Sequence, residues 1–229
     1  LIPHLQGQPD ADKPVAELWF GAHPGDPSTV DGRLLNEVIA EDPAGQLGSR
    51  VSAEYGERLP FLLKVLAAEE PLSLQAHPSK AQAEEGFARE NAAGIELTAS
   101  NRNYKDDNHK PELIVALTDF YAMAGFRPLA RTRELFAALE CPELDHYVAM
   151  LDDDPSATTE SANLRVLFTT WITIPSAKRK ELISAIVAAG ERLIAADPAD
   201  WKSRVMSTVL DLNQRYPGDI GVLGALLLN

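Results

Sequence analysis

Cysteine is nearly missing from this chain of 229 residues: Cys141 stands alone, so no intrachain disulfide can form. Such thiol usage suits a reducing compartment, and a cytoplasmic protein is expected. Long apolar runs are missing too, none approaching the ~20 residues that a membrane span needs. The opening Leu1-Ile-Pro-His-Leu5 has neither the charged start nor the apolar stretch of a secretion signal. Cations are scarce: 21 Lys and Arg face 34 Asp and Glu, a net charge of -13. That field repels polyanions, so nucleic acid and anionic membrane are excluded as partners, and a small anionic substrate would need locally placed cations. What is present is 45% hydrophobic composition, enough for one large domain or a domain carrying an inserted subdomain. The chain starts without Met and ends on Leu226-Leu-Leu-Asn229, which reads as a strand cut short, so a fragment is expected.

The chemistry gathers in Ser73-Leu-Gln75-Ala-His77-Pro78 and His109-Lys110-Pro-Glu112. If the first stretch is a strand, Leu72, Leu74 and Ala76 line one face while Ser73, Gln75 and His77 line the other. Gln75 and His77 then stand about 6.6 Å apart, close enough to converge on one ion. Lys110 and Glu112 share a face in the same way, and the apolar Leu113-Ile-Val-Ala-Leu117 continues as a strand. The competing reading is plain: His77 bonds a carbonyl at a strand end, and Gln75 is a satisfied interior amide. Several polar side chains on apolar strands must find partners or an ion, which strengthens the site reading without displacing the other.

Residues 1 to 26 suggest a short strand around Glu17-Leu-Trp-Phe20 entering a loop with His23. Ser28 or Thr29 caps a helix carrying Leu34, Leu35, Val38 and Ile39, closing near Gly45 and Gly48. Leu59 to Leu66 reads as a strand, neighbour to the one at Ser73. Ser79 opens a helix with capping-box spacing to Gln82 that ends at Gly94. Lys80 lies on its solvated face or meets a phosphate. The polar run from Thr98 to Asn108 is a loop delivering Lys110, and Phe120 to Phe126 is a third strand, with Gly125 allowing close backbone approach.

After Pro128 the period changes from 2 to 3.6. Leu135, Phe136 and Leu139 fit one helix, Leu144 to Leu151 a second, and Leu164, Leu167, Phe168 and Trp171 a third. Ser176 caps a longer helix, and Pro198 sits in the first turn of the next. Tyr216-Pro-Gly-Asp219 ends the helices and returns the chain to extended structure. The layering predicts an α+β protein with a helical subdomain.

The runs Glu17-Leu-Trp-Phe-Gly-Ala-His23, Leu59-Pro-Phe-Leu-Leu-Lys-Val-Leu66, Ser73 to Pro78, Tyr104 through Glu112, Met123-Ala-Gly-Phe126-Arg127-Pro128 and Tyr216-Pro-Gly-Asp-Ile-Gly221 occur in an order that resembles type I phosphomannose isomerase. The resemblance covers essentially the whole chain. It implies a cupin-type β-sandwich or barrel domain with an inserted all-helical domain: 1–127 in the cupin part, 128–216 helical, 217–229 a return to the cupin part. It implies Zn2+ held by Gln75, His77 and Glu112, with Ser73 and Lys110 lining a sugar-phosphate site and His23 near the same pocket. The family's fourth zinc ligand, a His, and its site Arg fall beyond the point matching Asn229, so this stretch alone is expected to be nearly inactive. Interconversion of mannose 6-phosphate and fructose 6-phosphate needs a base and an oxyanion stabiliser; Lys110 and His23 are the catalytic candidates. The partner implied is a small sugar phosphate, and a monomer is expected. The rival reading is a non-catalytic cupin-type protein that binds sugar or metal.

Overall fold

Where extended chain finds a neighbour in this protein, it does so in short pairs. The computed structural model describes residues 1–8, 13, 15–151 and 157–229, arranged as two compact units, Leu1–Leu72 and Ser73–Asn229. In the first unit a short helix, α1 (Ile2–Leu5), precedes strand β1 (Glu17–Phe20). Strands β2 (Thr29–Val30) and β3 (Arg33–Leu34) form a tight hairpin, followed by helices α2 (Leu35–Glu41), α3 (Pro43–Leu47) and α4 (Ser49–Tyr55) and strand β4 (Leu63–Leu66). β1 and β4 pair antiparallel, with Trp19 opposite Lys64 and Phe20 opposite Leu63.

The hairpin corrects the helix expected from Ser28. Asp31 and Gly32 both take positive φ, 50° and 78°, the backbone of a two-residue turn joining antiparallel strands. A helix cannot run through two left-handed residues, so it starts only at Leu35. The expected 59–66 strand is shortened to Leu63–Leu66, and its partner is β1 rather than the stretch at Ser73.

The second unit is built on helices: α5 (Lys80–Ala92), α6 (Leu129–Leu139), a 3-10 turn (Pro142–Leu144), α7 (Asp145–Val148), α8 (Ala157–Thr173), α9 (Ser176–Ala196), α10 (Trp201–Arg215) and α11 (Ile220–Ala225). The apolar positions spaced at 3.6 point inward: Leu135, Phe136, Leu139, Leu167, Trp171, Ile186, Met206, Val209 and Leu223 form one buried cluster. At Gly190 the α9 backbone comes so close to α10 that an added Cβ would lie 2.5 Å from the Met206 methyl.

Three expected strands are absent from the described residues. The segments 73–78, 109–117 and 120–125 form no strand, and residue 126 makes a single antiparallel bridge to Leu228. Leu113, Leu117 and Tyr121 are 90, 81 and 94% exposed, because an apolar run supplies a surface and not the strand that must pair with it. The return after Tyr216 is also helical rather than extended. Asp219 caps α11, its carboxylate accepting the Gly221 N–H at 2.6 Å, and Leu223, Leu226 and Leu227 bury in the helical core. Two caps also differ from expectation: Ser176 is the first residue of α9 with no side-chain cap, and α10 starts at Trp201 on Asp200 rather than at Pro198. The architecture remains mixed α+β. Among the described residues no helix is long and apolar enough to cross a membrane.

Candidate functional site

Helix α5 sets the frame of the site. Ser79 accepts the Gln82 N–H on its hydroxyl, and Gln82 Oε1 in turn accepts the Ser79 N–H at 2.9 Å, so the helix has a fixed first residue. Ser73, Gln75 and His77 stand immediately ahead of that cap, all exposed. On the other side of α5, residues 95–104 run back along the helix and continue to Lys110 and Glu112, which are exposed as well.

The two stretches meet at His77. Its Nδ1 sits against the Lys110 backbone carbonyl, an oxygen that can only accept, so Nδ1 carries the proton and donates. The lone pair is then on Nε2. A histidine oriented in this way by a backbone carbonyl is prepared for a metal ion at its other nitrogen. The donor set available in these stretches, an imidazole at 77, a carboxylate at 112 and an amide oxygen at 75, has the chemistry zinc takes, with the two anchor segments in contact. No group of three or more His, Cys, Asp and Glu side chains gathers among the described residues; Gln75, an amide, is not of that kind.

The lysines near these stretches are engaged. Lys110 pairs with Asp106, four positions earlier, at 3.3 Å. Lys80 donates to the Asp107 carbonyl at 2.8 Å and pairs with Glu84 at 3.2 Å, which ties the middle of the 104–110 segment to the start of α5.

His23 belongs to the first unit. Its Nδ1 accepts the Gly25 N–H at 3.0 Å, which leaves Nε2 as the protonated nitrogen of the neutral ring. The ring stands edge-on to Trp19, with centroids 5.2 Å apart. Across the β1–β4 ladder Lys64 lies 4.5 Å over Trp19 and 3.4 Å from Glu17, whose carboxylate also accepts the Trp19 indole N–H. This edge of the ladder therefore gathers a histidine, a lysine and a carboxylate around one indole.

Sequence reading missed Glu90 and Arg102. Both are buried, Glu90 on the last turn of α5 and Arg102 in a segment whose residues read as a plain loop. The Glu90 carboxylate accepts the backbone N–H groups of Tyr104 at 2.8 Å and Asn103 at 3.2 Å, and Arg102 Nε lies 3.1 Å from it. The Tyr104 N–H, followed by the Asn103 amide and the Arg102 charge, holds the Glu90 carboxyl below the usual carboxylate range despite burial. The available signal was one of three Glu on an alanine-rich helix, twelve residues before an Arg among Asn residues. That separation follows no local period.

Residues 3–129 match the family model described as phosphomannose isomerase type I, catalytic domain. The chain is 38% identical over 226 residues to the mannose-6-phosphate isomerase of Escherichia coli (strain K12), covering 96% of this chain and 54% of that protein. To the human mannose-6-phosphate isomerase it is 34% identical over 232 residues, covering 95% and 51%. The solved structure of mannose 6-phosphate isomerase from Salmonella typhimurium bound to its substrate fructose 6-phosphate and to zinc superposes with a TM-score of 0.80 at 35% identity, covering 100% of this chain and 56% of that one. The chain thus spans about half the length of the curated relatives it matches. With the family model matching more than half of its residues, the chain belongs to the type I phosphomannose isomerases.

Proposed function

We propose that this protein acts as a zinc-dependent aldose–ketose isomerase on mannose 6-phosphate and fructose 6-phosphate. The observation that carries the reading is the His77–Lys110 contact, which joins the two stretches bearing Gln75, His77, Lys110 and Glu112 and leaves His77 Nε2 free to ligate. Family membership and the zinc and fructose 6-phosphate bound to the Salmonella typhimurium relative support it. Gln75, His77 and Glu112 would hold the ion, and two of the three ligands bring no thiolate or carboxylate charge. When bound, zinc supplies a Lewis acid that polarises the sugar's carbonyl or hydroxyl oxygen.

The chain's own groups do the rest. Isomerisation moves a proton between C2 and C1 of the sugar through an enediol, so a base and a cation near the developing oxyanion are required. Lys110 is the cation beside the proposed ligands, and either shuttles that proton or holds the oxyanion once released from Asp106. His23 Nε2–H is the alternative proton donor. The Ser73 hydroxyl would hydrogen-bond the sugar phosphate. In the same reading the fold is a cupin-type β domain, 1–127, interrupted by the helical domain 128–216, with the chain returning over 217–229 by way of α11, in a cytoplasmic monomer.

The test is made on the whole protein. Stoichiometric zinc together with ketose formation from mannose 6-phosphate is the expected result. Zinc uptake without turnover would select the non-catalytic binding protein instead. Lys110→Ala is expected to lower turnover at least ~10²-fold while zinc stays bound, and unchanged kinetics would remove Lys110 from the mechanism.

A further inference from the structure

We infer that Glu90 and Arg102 are positioning residues: Glu90 on the far turn of α5 and Arg102 in the loop form a buried pair that holds the 102–104 backbone to the helix, and so sets where Lys110 and Glu112 stand relative to Gln75 and His77. The inference rests on the isomerase reading for its consequence, though not for its geometry.

Nearly every polar atom of the pair is spent on the loop. Glu90, 6% exposed, accepts from Tyr104 N–H, Asn103 N–H and the Asn103 side-chain amide at 3.0 Å. Arg102, 5% exposed, donates from Nε to the Tyr104 carbonyl at 2.5 Å, from Nη1 to the Ile95 carbonyl at 2.7 Å and from Nη2 to Asn91 Oδ1 at 2.8 Å. Its guanidinium also lies 5.0 Å over the Phe87 ring. Most of these partners are backbone groups of residues 95–104, which have no ladder or helix of their own to satisfy them.

A buried ion pair contributes little net stability compared with apolar residues of the same volume, because both charges lose their hydration. What the pair supplies is a unique loop position. The Tyr104 ring adds a second constraint by resting on Gly86, and the Lys80–Asp107 bond a third, at the opposite end of α5. The thirteen residues of α5 thus act as a rigid spacer with 73–78 leading into one end and 102–104 fastened at the other. From Tyr104 the chain has only six residues to reach Lys110, with Asp107 pinned on the way. A shift at Glu90 is therefore carried to the point where His77 meets the Lys110 carbonyl.

The experiment compares Glu90→Ala and Glu90→Gln with Ile186→Val, a core change in α9, in the whole enzyme at a temperature well below melting. Zinc is titrated into the metal-free proteins, and amide exchange is followed over 103–112 in the same metal-free state. Glu90→Ala is expected to bind zinc about 10–100-fold more weakly and to exchange faster over 103–112. Ile186→Val should do neither, and Glu90→Gln, which keeps an acceptor for the Tyr104 N–H, should recover much of the loss. Zinc affinity unchanged in Glu90→Ala, or weakened equally in Ile186→Val, overturns the inference. Should Glu90→Ala fail to fold, Arg102→Lys keeps the charge but loses the planar donors to Ile95 and Asn91, and the same two outcomes apply to it. If the parent protein takes up no zinc, the isomerase reading fails separately. Exchange then decides the pair alone: faster exchange confined to 103–112 upholds it, and no change or a uniform change rejects it.

Discussion

Glu90 shows how one buried carboxylate gives a protein an acid limit. Its pKa is lowered chiefly by the Tyr104 N–H, so the folded state binds its proton more weakly than the unfolded chain does. Its contribution to stability is then complete above the unfolded value of about 4.3 and falls away as pH drops through the lower folded value. Amide protection over 102–104 is expected to decline below about pH 4 in the parent and to show no such step in Glu90→Gln, as read by hydrogen exchange across a pH series. Gly86 makes a second residue-level case. A Cβ there would fall 2.5 Å from the Tyr104 ring carbons, so alanine must displace the ring. The gain in helix propensity is ~1 kcal/mol, and overpacking costs about 1–3 kcal/mol, so Gly86→Ala should lower the melting temperature. A rise would mean that the ring moves without cost.

Among the elements, α5 was the most legible, because its signals are local. The Ser79 to Gln82 spacing and the alanine-rich run towards Gly94 are all within a few residues of one another, and the reciprocal cap is present. Removing it with Ser79→Ala should cost about 0.5–2 kcal/mol and fray the turn next to His77, which a thermal melt with α5 amide exchange would report. The helices after Pro128 were legible for the same reason: Leu135, Phe136 and Leu139 share a face whatever surrounds them. The strands were not. Leu113 to Leu117 is an apolar run of the kind strands carry, yet a strand is a pairing, and the partner is not written in its own residues. The Asp31-Gly32 hairpin was legible in principle and was masked by the apolar Leu34, Leu35, Val38 and Ile39 that follow it. Of the candidate site, the two polar stretches at 73–78 and 109–112 were legible as a pair, and His77 meets the Lys110 carbonyl between them. The Glu90–Arg102 fastening could not, since no period links a helix residue to a loop twelve positions on.

On the scale of the whole chain, charge matters most. A net charge of -13 opposes a sugar phosphate at long range, while at short range Lys80 and Lys110 are already paired with Glu84 and Asp106. The unfavourable long-range field therefore governs approach, and salt screens it, the Debye length shrinking from about 30 Å at 0.01 M to about 8 Å at 0.15 M. On the isomerase reading, kcat/KM for the sugar phosphate should rise over that range; a fall would show that the local lysines steer the substrate.

The chain ends of the helical core are also drawn together. The Ala124 N–H donates to the Asn229 carbonyl at 2.9 Å, the Asn229 N–H to the Gly125 carbonyl at 3.1 Å and the Arg127 N–H to the Leu227 carbonyl at 2.7 Å, around the antiparallel bridge of Phe126 with Leu228. Topologically, α6 to α11 are the loop of an oversized hairpin. Loop length adds to closure entropy only logarithmically, so the roughly 100 residues in that loop weigh little more than a short one would. Such a module can be lengthened, trimmed or exchanged during evolution without redirecting the two bridged segments it departs from and rejoins.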